Sequence, residues 1–307
     1  MQRQIIISLL KIETMKTILV TGSNGQLGNE LRLLAENFTE CHFIFADIEE
    51  LDITDKESIN NFFAENAIQY CINCAAYTAV DKAEVDSDKA FEINALGPEL
   101  LALACKKAGA IFIHISTDFV FEGDNNVPYK ENLNPQPLSI YGKSKREGEI
   151  NALKHNPATI VIRTSWLYST HGNNFVKTMI RLGKERDSLG IVFDQTGCPT
   201  YAGDLASAIM QIIENIDTRE DNKTLFGIYH FSNKGVCSWY DFAIMIFKLN
   251  NIEVKVKPIT TEEYPLPAKR PAYSVMNTRK IQDTFSIEIP YWTDSLETCI
   301  KLLNQDV

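Results

Sequence analysis

"TILVTGSNGQLG", residues 17–28, runs an apolar segment directly into three glycines spaced three apart, and the last of these already lies in a helical pattern. The segment is continuously apolar rather than alternating, as a strand must be when both of its faces are covered. The loop that follows puts Gly22, Gly25 and Gly28 where a strand turns into a helix. Bare backbone and free amides at a helix N-terminus are what a pyrophosphate requires. The spacing differs from G-x-G-x-x-G, and glycines also serve ordinary turns. The order strand, loop, helix within a first βαβ unit favours the phosphate cradle.

The same pattern repeats outward from this stretch. "HFIFAD", "YCINCAA", "IFIHIS" and "TIVIRTS" alternate with helical patterns at 26–37, near 55–66, over roughly 88–108, and around Tyr141. Such alternation predicts an α/β doubly wound parallel sheet of Rossmann type with helices on both faces. Thr54 and Glu57 have the spacing of a capping box for the second helix. After residue 167 the pattern loosens into "STHGNN", a helix near 174–186, a strand at 190–193, the turn "GCPT", helices near 202–215 and 238–249, the strand "GIYHFS", and a proline-bearing stretch at 258–271. The expected organisation is an extension (1–15), a dinucleotide-binding domain (16–167, receiving parts of 200–232) and a smaller C-terminal α/β substrate lobe (168–307).

Composition limits the partners. The chain has 307 residues, 45% of them hydrophobic, enough for a well-buried core. A formal charge of -10 with scattered basic residues argues against a nucleic-acid surface. No stretch reaches membrane-spanning length. Seven irregularly spaced cysteines fit a reducing compartment, so the cytoplasm is expected. "CINC" at 71–74 matches C-x-x-C but has no second pair for zinc. It lies in an apolar run, so Cys71 and Cys74 read as small core residues on opposite faces and no metal site is assigned. His114, in another apolar run, likewise reads as a core histidine.

Within the first half, Gly22, Ser23, Asn24, Gly25, Gln26, Leu27 and Gly28 form the expected cofactor loop. Asp47 ends the second strand nineteen residues after Gly28, where a carboxylate accepts bonds from ribose hydroxyls and repels a 2'-phosphate. This favours NADH, with NADPH allowed if basic side chains compensate. Asp52 and Ile53, placed after the expected third strand or turn, are assigned to an adenine edge, the plain alternative being a helix entry.

"YGKSK", 141–145, followed by the charged run "REGE", sets a phenol and an ammonium four positions apart on one helix face. A phenol titrates near pH 10, about three units too high for easy proton transfer, and a nearby cation is expected to lower it. "HISTDFVF", 114–121, brings Ser116, Thr117 and Asp118 to the carboxyl edge of the sheet, where ligands of such sheets bind. A hydroxyl there and Tyr141 would act on one substrate oxygen, with Lys145 holding the nicotinamide ribose, an arrangement suited to carbonyl reduction.

"TGSNGQLG", "STD" and "YGKSK" together resemble the extended short-chain dehydrogenase/reductase family. "NCAAYTAVDKAE" (73–84), "RTSWLY" (163–168), "QTGCPT" (195–200) and "RPAYSVMN" (270–277) are similar to its dTDP-4-dehydrorhamnose reductase branch. The resemblance implies a catalytic trio of Thr117, Tyr141 and Lys145 with Asp118 beside it. It places Ala75, Ala76 and Tyr77 near the cofactor, Trp166 on the sugar, and Pro199, Thr200 and Arg270 at the nucleotide end. Arg270 read by itself could equally pair with a surface carboxylate, and Asp81 and Glu84 could simply cap a helix.

The implied activity is NADH- or NADPH-dependent reduction of the 4-keto group of dTDP-4-dehydro-beta-L-rhamnose, with a homodimer as the expected assembly. Two rivals stand beside it: a nucleotide-sugar dehydratase or epimerase, and a non-catalytic cofactor-binding subunit. Related dehydratases carry an acid after the Thr-Asp pair; here that position is Phe119, which favours reduction.

Overall fold

The structure, a computed structural model, describes residues 15–219 and 221–305; the N-terminal extension expected over 1–15 falls almost wholly outside them. The first half contains β1 (Lys16–Thr21), α1 (Gln26–Ala35), β2 (Cys41–Ala46), α2 (Lys56–Glu65), β3 (Tyr70–Asn73), the short α3 (Val80–Ala83) and α4 (Ser87–Phe91), α5 (Gly97–Ala108), β4 (Ile111–Thr117), α6 (Ile140–His155) and β5 (Thr159–Thr164). Every pairing in the main sheet is parallel. β1, β3, β4 and β5 are buried over most of their length, the edge strand β2 is only partly covered, and separate apolar clusters cover the two faces. The doubly wound α/β expectation is met.

Chain order reverses between β1 and β3, because β2 lies outside β1 while β3, β4 and β5 follow on the other side. Strand ends on either side of such a reversal splay apart and open a crevice at the carboxyl edge. The glycine loop after β1, Asp47 after β2, the Cys74–Ala76 segment after β3 and Thr117 at the end of β4 all lead into it.

The rest of the chain forms β6 (Leu167–Tyr168), α7 (Phe175–Glu185), β7 (Ser188–Val192), β8 (Thr196–Gly197), β9 (Thr200–Tyr201), α8 (Ala202–Thr218), β10 (Gly227–His230), β11 (Cys237–Ser238), α9 (Trp239–Leu249), β12 (Lys255–Ile259), α10 (Arg279–Phe285) and α11 (Trp292–Gln305). β10 returns to the main sheet beside β5, and α8 covers that sheet with the apolar stripe Leu205, Ile209, Ile212, Ile213 and Ile216. α7, α9 and α11 bury a second core around Phe242, Ile246 and Leu296. Among the described residues no helix is long and apolar enough to cross a membrane.

Several local expectations need correction. The cap of α2 is Asp55, whose side chain accepts from Glu57 N at 2.8 Å, while Thr54 Oγ1 donates to Asp52. A carboxylate one residue nearer the helix outcompetes the hydroxyl. Asp52 and Ile53 lie between β2 and α2, before the third strand rather than after it. The helix expected over 88–108 is broken by a π-helical turn at Glu92–Leu96. Pro98 at the start of α5 has no amide to donate, so regular helix cannot run through it. Cys71 enters one apolar cluster and Cys74 packs against the other, as alternation along a strand requires.

Candidate active site

A cleft of about 870 Å³ opens along the carboxyl edge of the sheet, between it and the C-terminal lobe. Gly22 adopts φ +62°, and a Cβ there would lie 2.5 Å from Ala75 N, so the loop can cross the end of β3 only as glycine. Gly28 is equally constrained: a Cβ would come within 2.5 Å of the Ser23 backbone. These two glycines press α1 onto its own loop. Gly25 is the N-cap of α1 and no side chain caps that helix. A Cβ on Gly25 would meet only the Gly22 carbonyl, at 3.2 Å, so the uncapped amides stay bare on the cleft side. Asp47 Oδ2 accepts from Asn24 N at 2.9 Å and so holds the loop to the end of β2. An uncapped helix N-terminus with a carboxylate one strand away fits the pyrophosphate and ribose of a dinucleotide.

α6 begins at Ser139, whose hydroxyl accepts from Gly142 N, and Glu84 Oε1 accepts from Ile140 N at 2.9 Å. Gly142 lets the helix rest on the Phe119 carbonyl; a Cβ would stand 2.2 Å from that oxygen. Tyr141 and Lys145 therefore face the cleft beside Thr117 and Asp118. The Tyr141 ring meets Phe119 edge to face at 5.5 Å. Lys145 Nζ donates to the Ile115 carbonyl at 2.7 Å. Thr117 Oγ1 donates to Asp118 Oδ1 at 3.1 Å, and the other Asp118 oxygen is buried without a partner.

Electrostatics here departs from the sequence expectation. Burial pushes the Tyr141 phenol up to about 12, further raised by the Asp118 charge and only partly offset by the neighbouring Thr117 hydroxyl. Lys145 does not lower it; burial instead brings the ammonium itself down to about 8, against the charge of Glu149. Burial also lifts the Asp118 carboxyl to about 6. Desolvation outweighs pair attraction because all of these groups sit beneath the sheet edge.

Trp166 follows β5 with φ +48°, a conformation a bulky residue holds only where its surroundings fix it. Its ring stacks on Trp239 at 3.5 Å between centroids and 9° between planes. Gly197 covers the indole so closely that a Cβ would lie 2.7 Å from it. Trp239, the first residue of α9, is part of the cleft wall and was not singled out in the sequence; the only signal was an aromatic residue directly after the capping serine. Arg270 also reaches the cleft and pairs with Asp81 at 2.7 Å, which gives Asp81 a partner rather than a capping duty.

Of the residues proposed from the sequence, Gly22, Asn24, Gly25, Gln26, Leu27, Asp47, Asp52, Ile53, Ala75 and Ala76 border the cleft on its dinucleotide side. Thr117, Asp118, Tyr141, Lys145, Trp166 and Arg270 border it further along. Others stand back from it. Ser23 is buried with its hydroxyl accepting from Arg32, and Gly28 packs on Ser23. Tyr77 turns its phenol outward to Asp86 while its amide donates to Asn94. Pro199 and Thr200 are buried beneath Trp166, whose carbonyl accepts from Thr200 N at 3.2 Å. Ser116 does border the cleft, but its hydroxyl donates to Glu149 at 2.6 Å and is not free for a substrate. His114 is fully buried, with Nδ1 on Asn73 and Nε2 unpartnered. Among the described residues no group of three or more His, Cys, Asp or Glu side chains is arranged to hold a metal.

A glycine cradle on the first βα turn and a Tyr-Lys helix opposite it define a dinucleotide-dependent oxidoreductase with the doubly wound fold. Comparison with known proteins narrows this class. The family model for the RmlD substrate binding domain matches residues 15–305. The chain is 45% identical to the dTDP-4-dehydrorhamnose reductase of Aggregatibacter actinomycetemcomitans over 293 residues, covering 92% of this chain and 98% of the relative. A solved dTDP-4-dehydrorhamnose reductase from Clostridium acetobutylicum superposes with TM-score 0.88 at 45% identity, covering 94% of this chain and 99% of that one. The Bacillus anthracis reductase in complex with NADP superposes with TM-score 0.88 at 41% identity, with coverage of 94% and 99%. The chain belongs to the RmlD family.

Proposed function

We propose that this protein reduces the 4-keto group of dTDP-4-dehydro-beta-L-rhamnose to give dTDP-L-rhamnose, using NADH or NADPH. The observation that carries the reading is the placement of Tyr141, Lys145 and Thr117 around one end of a cleft whose other end is an uncapped glycine cradle. The relatives' names supply the substrate. The B. anthracis relative, solved with NADP, supports a nicotinamide cofactor. The sheet and its loops would hold the dinucleotide, and the lobe bearing Trp166 and Trp239 would hold the nucleotide sugar.

Gly22, Gly25 and the first amides of α1 would hold the pyrophosphate, and Asp47 the adenosine ribose. A bound nicotinamide supplies the hydride that reduces the carbonyl carbon. The chain's own groups manage the oxygen. Thr117 presents a hydroxyl at the strand end, and Tyr141, protonated at neutral pH, is set to donate a proton as the oxygen gains charge. Tyr141 need not be an acidic phenol for this, because an alkoxide is a far stronger base than a phenolate. Lys145, held by the Ile115 carbonyl, places a positive charge beside the reacting end. Trp166, held by Trp239 and Gly197, would give the sugar an apolar wall together with Trp239.

Phe119 presents an aromatic ring with no proton to give at the position where a dehydratase would need an acid, which favours net reduction. The seven cysteines are all free, in keeping with a cytoplasmic enzyme. The test is oxidation of NADH or NADPH, followed by absorbance, with dTDP-4-dehydro-6-deoxy-L-mannose as substrate. Stoichiometric oxidation with formation of dTDP-L-rhamnose is expected; cofactor binding without oxidation would overturn the reading.

A further inference from the structure

Behind the Tyr141–Lys145 pair, one helical turn further along the same face of α6, stands Glu149, which is fully buried. Its carboxylate takes four bonds. Arg163 on β5, itself fully buried, donates from Nε at 2.7 Å and from Nη2 at 2.7 Å. Arg146 Nη1 donates at 2.8 Å, and Ser116 Oγ on β4 at 2.6 Å. Among the described residues no other carboxylate pairs with these arginines. Ser116 and Ile115 are adjacent on β4, and the Ile115 carbonyl accepts from Lys145. α6 is thus fastened at two consecutive residues to the strand end that carries Thr117. A buried anion shared by two cations and a hydroxyl is costly unless every contact is made, and here all are made.

We propose that Glu149 is a positioning residue for the reduction: its buried carboxylate keeps Lys145 in its ammonium form and fixes the Tyr141 helix in register with Thr117. The inference rests on the reductase reading for its role in turnover, though not for its effect on Lys145. The groups facing Lys145 come from every neighbouring element. Cys74 beyond β3 and His114 on β4 are both held neutral by burial, Tyr141 on α6 is a neutral phenol, and Asp118 lies past the end of β4. Arg163 on β5 and Arg146 on α6 are cations, and Arg163 Nη1 lies 3.3 Å from His230 Nε2 on β10. His230 is itself kept neutral, mainly by burial. Glu149 is the main charge that opposes the burial of Lys145, and without it that burial would act on the ammonium with little to offset it.

The experiment measures, in the ligand-free protein, the pH at which Lys145 becomes reactive to acetic anhydride, read by peptide mass spectrometry, alongside the pH profile of kcat. In E149Q the single amide oxygen can still accept from Ser116 Oγ and Arg163 Nε, while the bonds from Arg163 Nη2 and Arg146 Nη1 are lost together with the charge. Its Lys145 breakpoint and the alkaline limb of kcat are expected to move together to lower pH by about one unit, the scale of one close charge. A residue that merely supports the fold would lower thermal stability and leave the breakpoint in place. Breakpoints that coincide in wild type and E149Q overturn the proposal. If E149Q does not fold, R146M decides: removing a competing cation frees the Glu149 charge and must raise the breakpoint, and an unmoved breakpoint overturns the proposal equally. A wild-type protein that labels as expected yet reduces no sugar would refute the reductase reading and leave the Glu149 result standing.

Discussion

Tyr141, the proposed proton donor, has a phenol whose proton is held by burial. Its phenol, held up at about 12, remains protonated throughout the neutral range. Tyr141→Phe should keep the Phe119 contact and the cleft, so cofactor affinity in a fluorescence titration is expected to stay within about twofold of wild type. Turnover should fall roughly 10²-fold or more, the usual scale for losing an acid catalyst. On the proposed mechanism, the ionisation expected to limit activity is that of Lys145 instead. Its folded value is depressed from 10.5 to about 8, so the ammonium is lost as pH rises through 8. kcat/KM measured from pH 6 to 10 should accordingly fall above about 8 with a single-proton slope. Between about 8 and 10.5 the unfolded chain binds a proton that the folded chain has released, so this group makes stability rise with pH in that window. The two assays are thus expected to move in opposite directions.

At the level of elements, the glycine loop and the broken helix each show a contact overriding a local pattern. Gly28 does not border the cleft, yet a methyl there would press on Ser23 Cα and its carbonyl at 2.5 Å. Gly28→Ala should cost about 1–3 kcal/mol through overpacking. It should also weaken dinucleotide binding by displacing the first turn of α1. Thermal unfolding and cofactor titration together check this. The π turn at Glu92–Leu96 brings the Asn94 carbonyl against α6, where a Cβ on Gly148 would lie 2.1 Å away. The Asn94 carboxamide accepts from Tyr77 N, and its amide donates to the Tyr77 carbonyl and to Ser144 Oγ. The extra residue in the helix thus joins the loop after β3 to the helix that carries Tyr141. The sequence by itself predicts one helix through this stretch, and nothing in its spacing says what Asn94 touches.

Across the whole molecule, the two halves are locked by a few buried polar links. Glu30 on α1 accepts from Ser169 Oγ at 2.7 Å and from Tyr201 Oη at 3.4 Å. Gln26, at the cofactor loop, donates to the Leu167 carbonyl and accepts from Asn174 Nδ2. Arg270 spans 189 residues of sequence to reach Asp81. That pair is partly exposed, so Arg270→Ala should change stability by less than about 1 kcal/mol. If Arg270 holds the nucleotide end of the substrate, its loss should raise the sugar KM about tenfold with little change in kcat, the scale of one charge-assisted hydrogen bond. Steady-state kinetics beside a melting curve separates the two effects.

The alternation of apolar runs with helical patterns, the glycine loop, the carboxylate after β2 and the Tyr-Lys spacing were all determined by the chain locally, because each depends on periodicity or on backbone freedom within a few residues. Only the tertiary structure decided that Trp239 backs Trp166, that Pro199 and Thr200 lie beneath the cleft wall, and that Arg270 faces Asp81. It also decided which way the phenol and the ammonium shift. Desolvation and partners far apart in sequence govern these outcomes, and neither exists until the sheet, α6 and the C-terminal lobe have packed together.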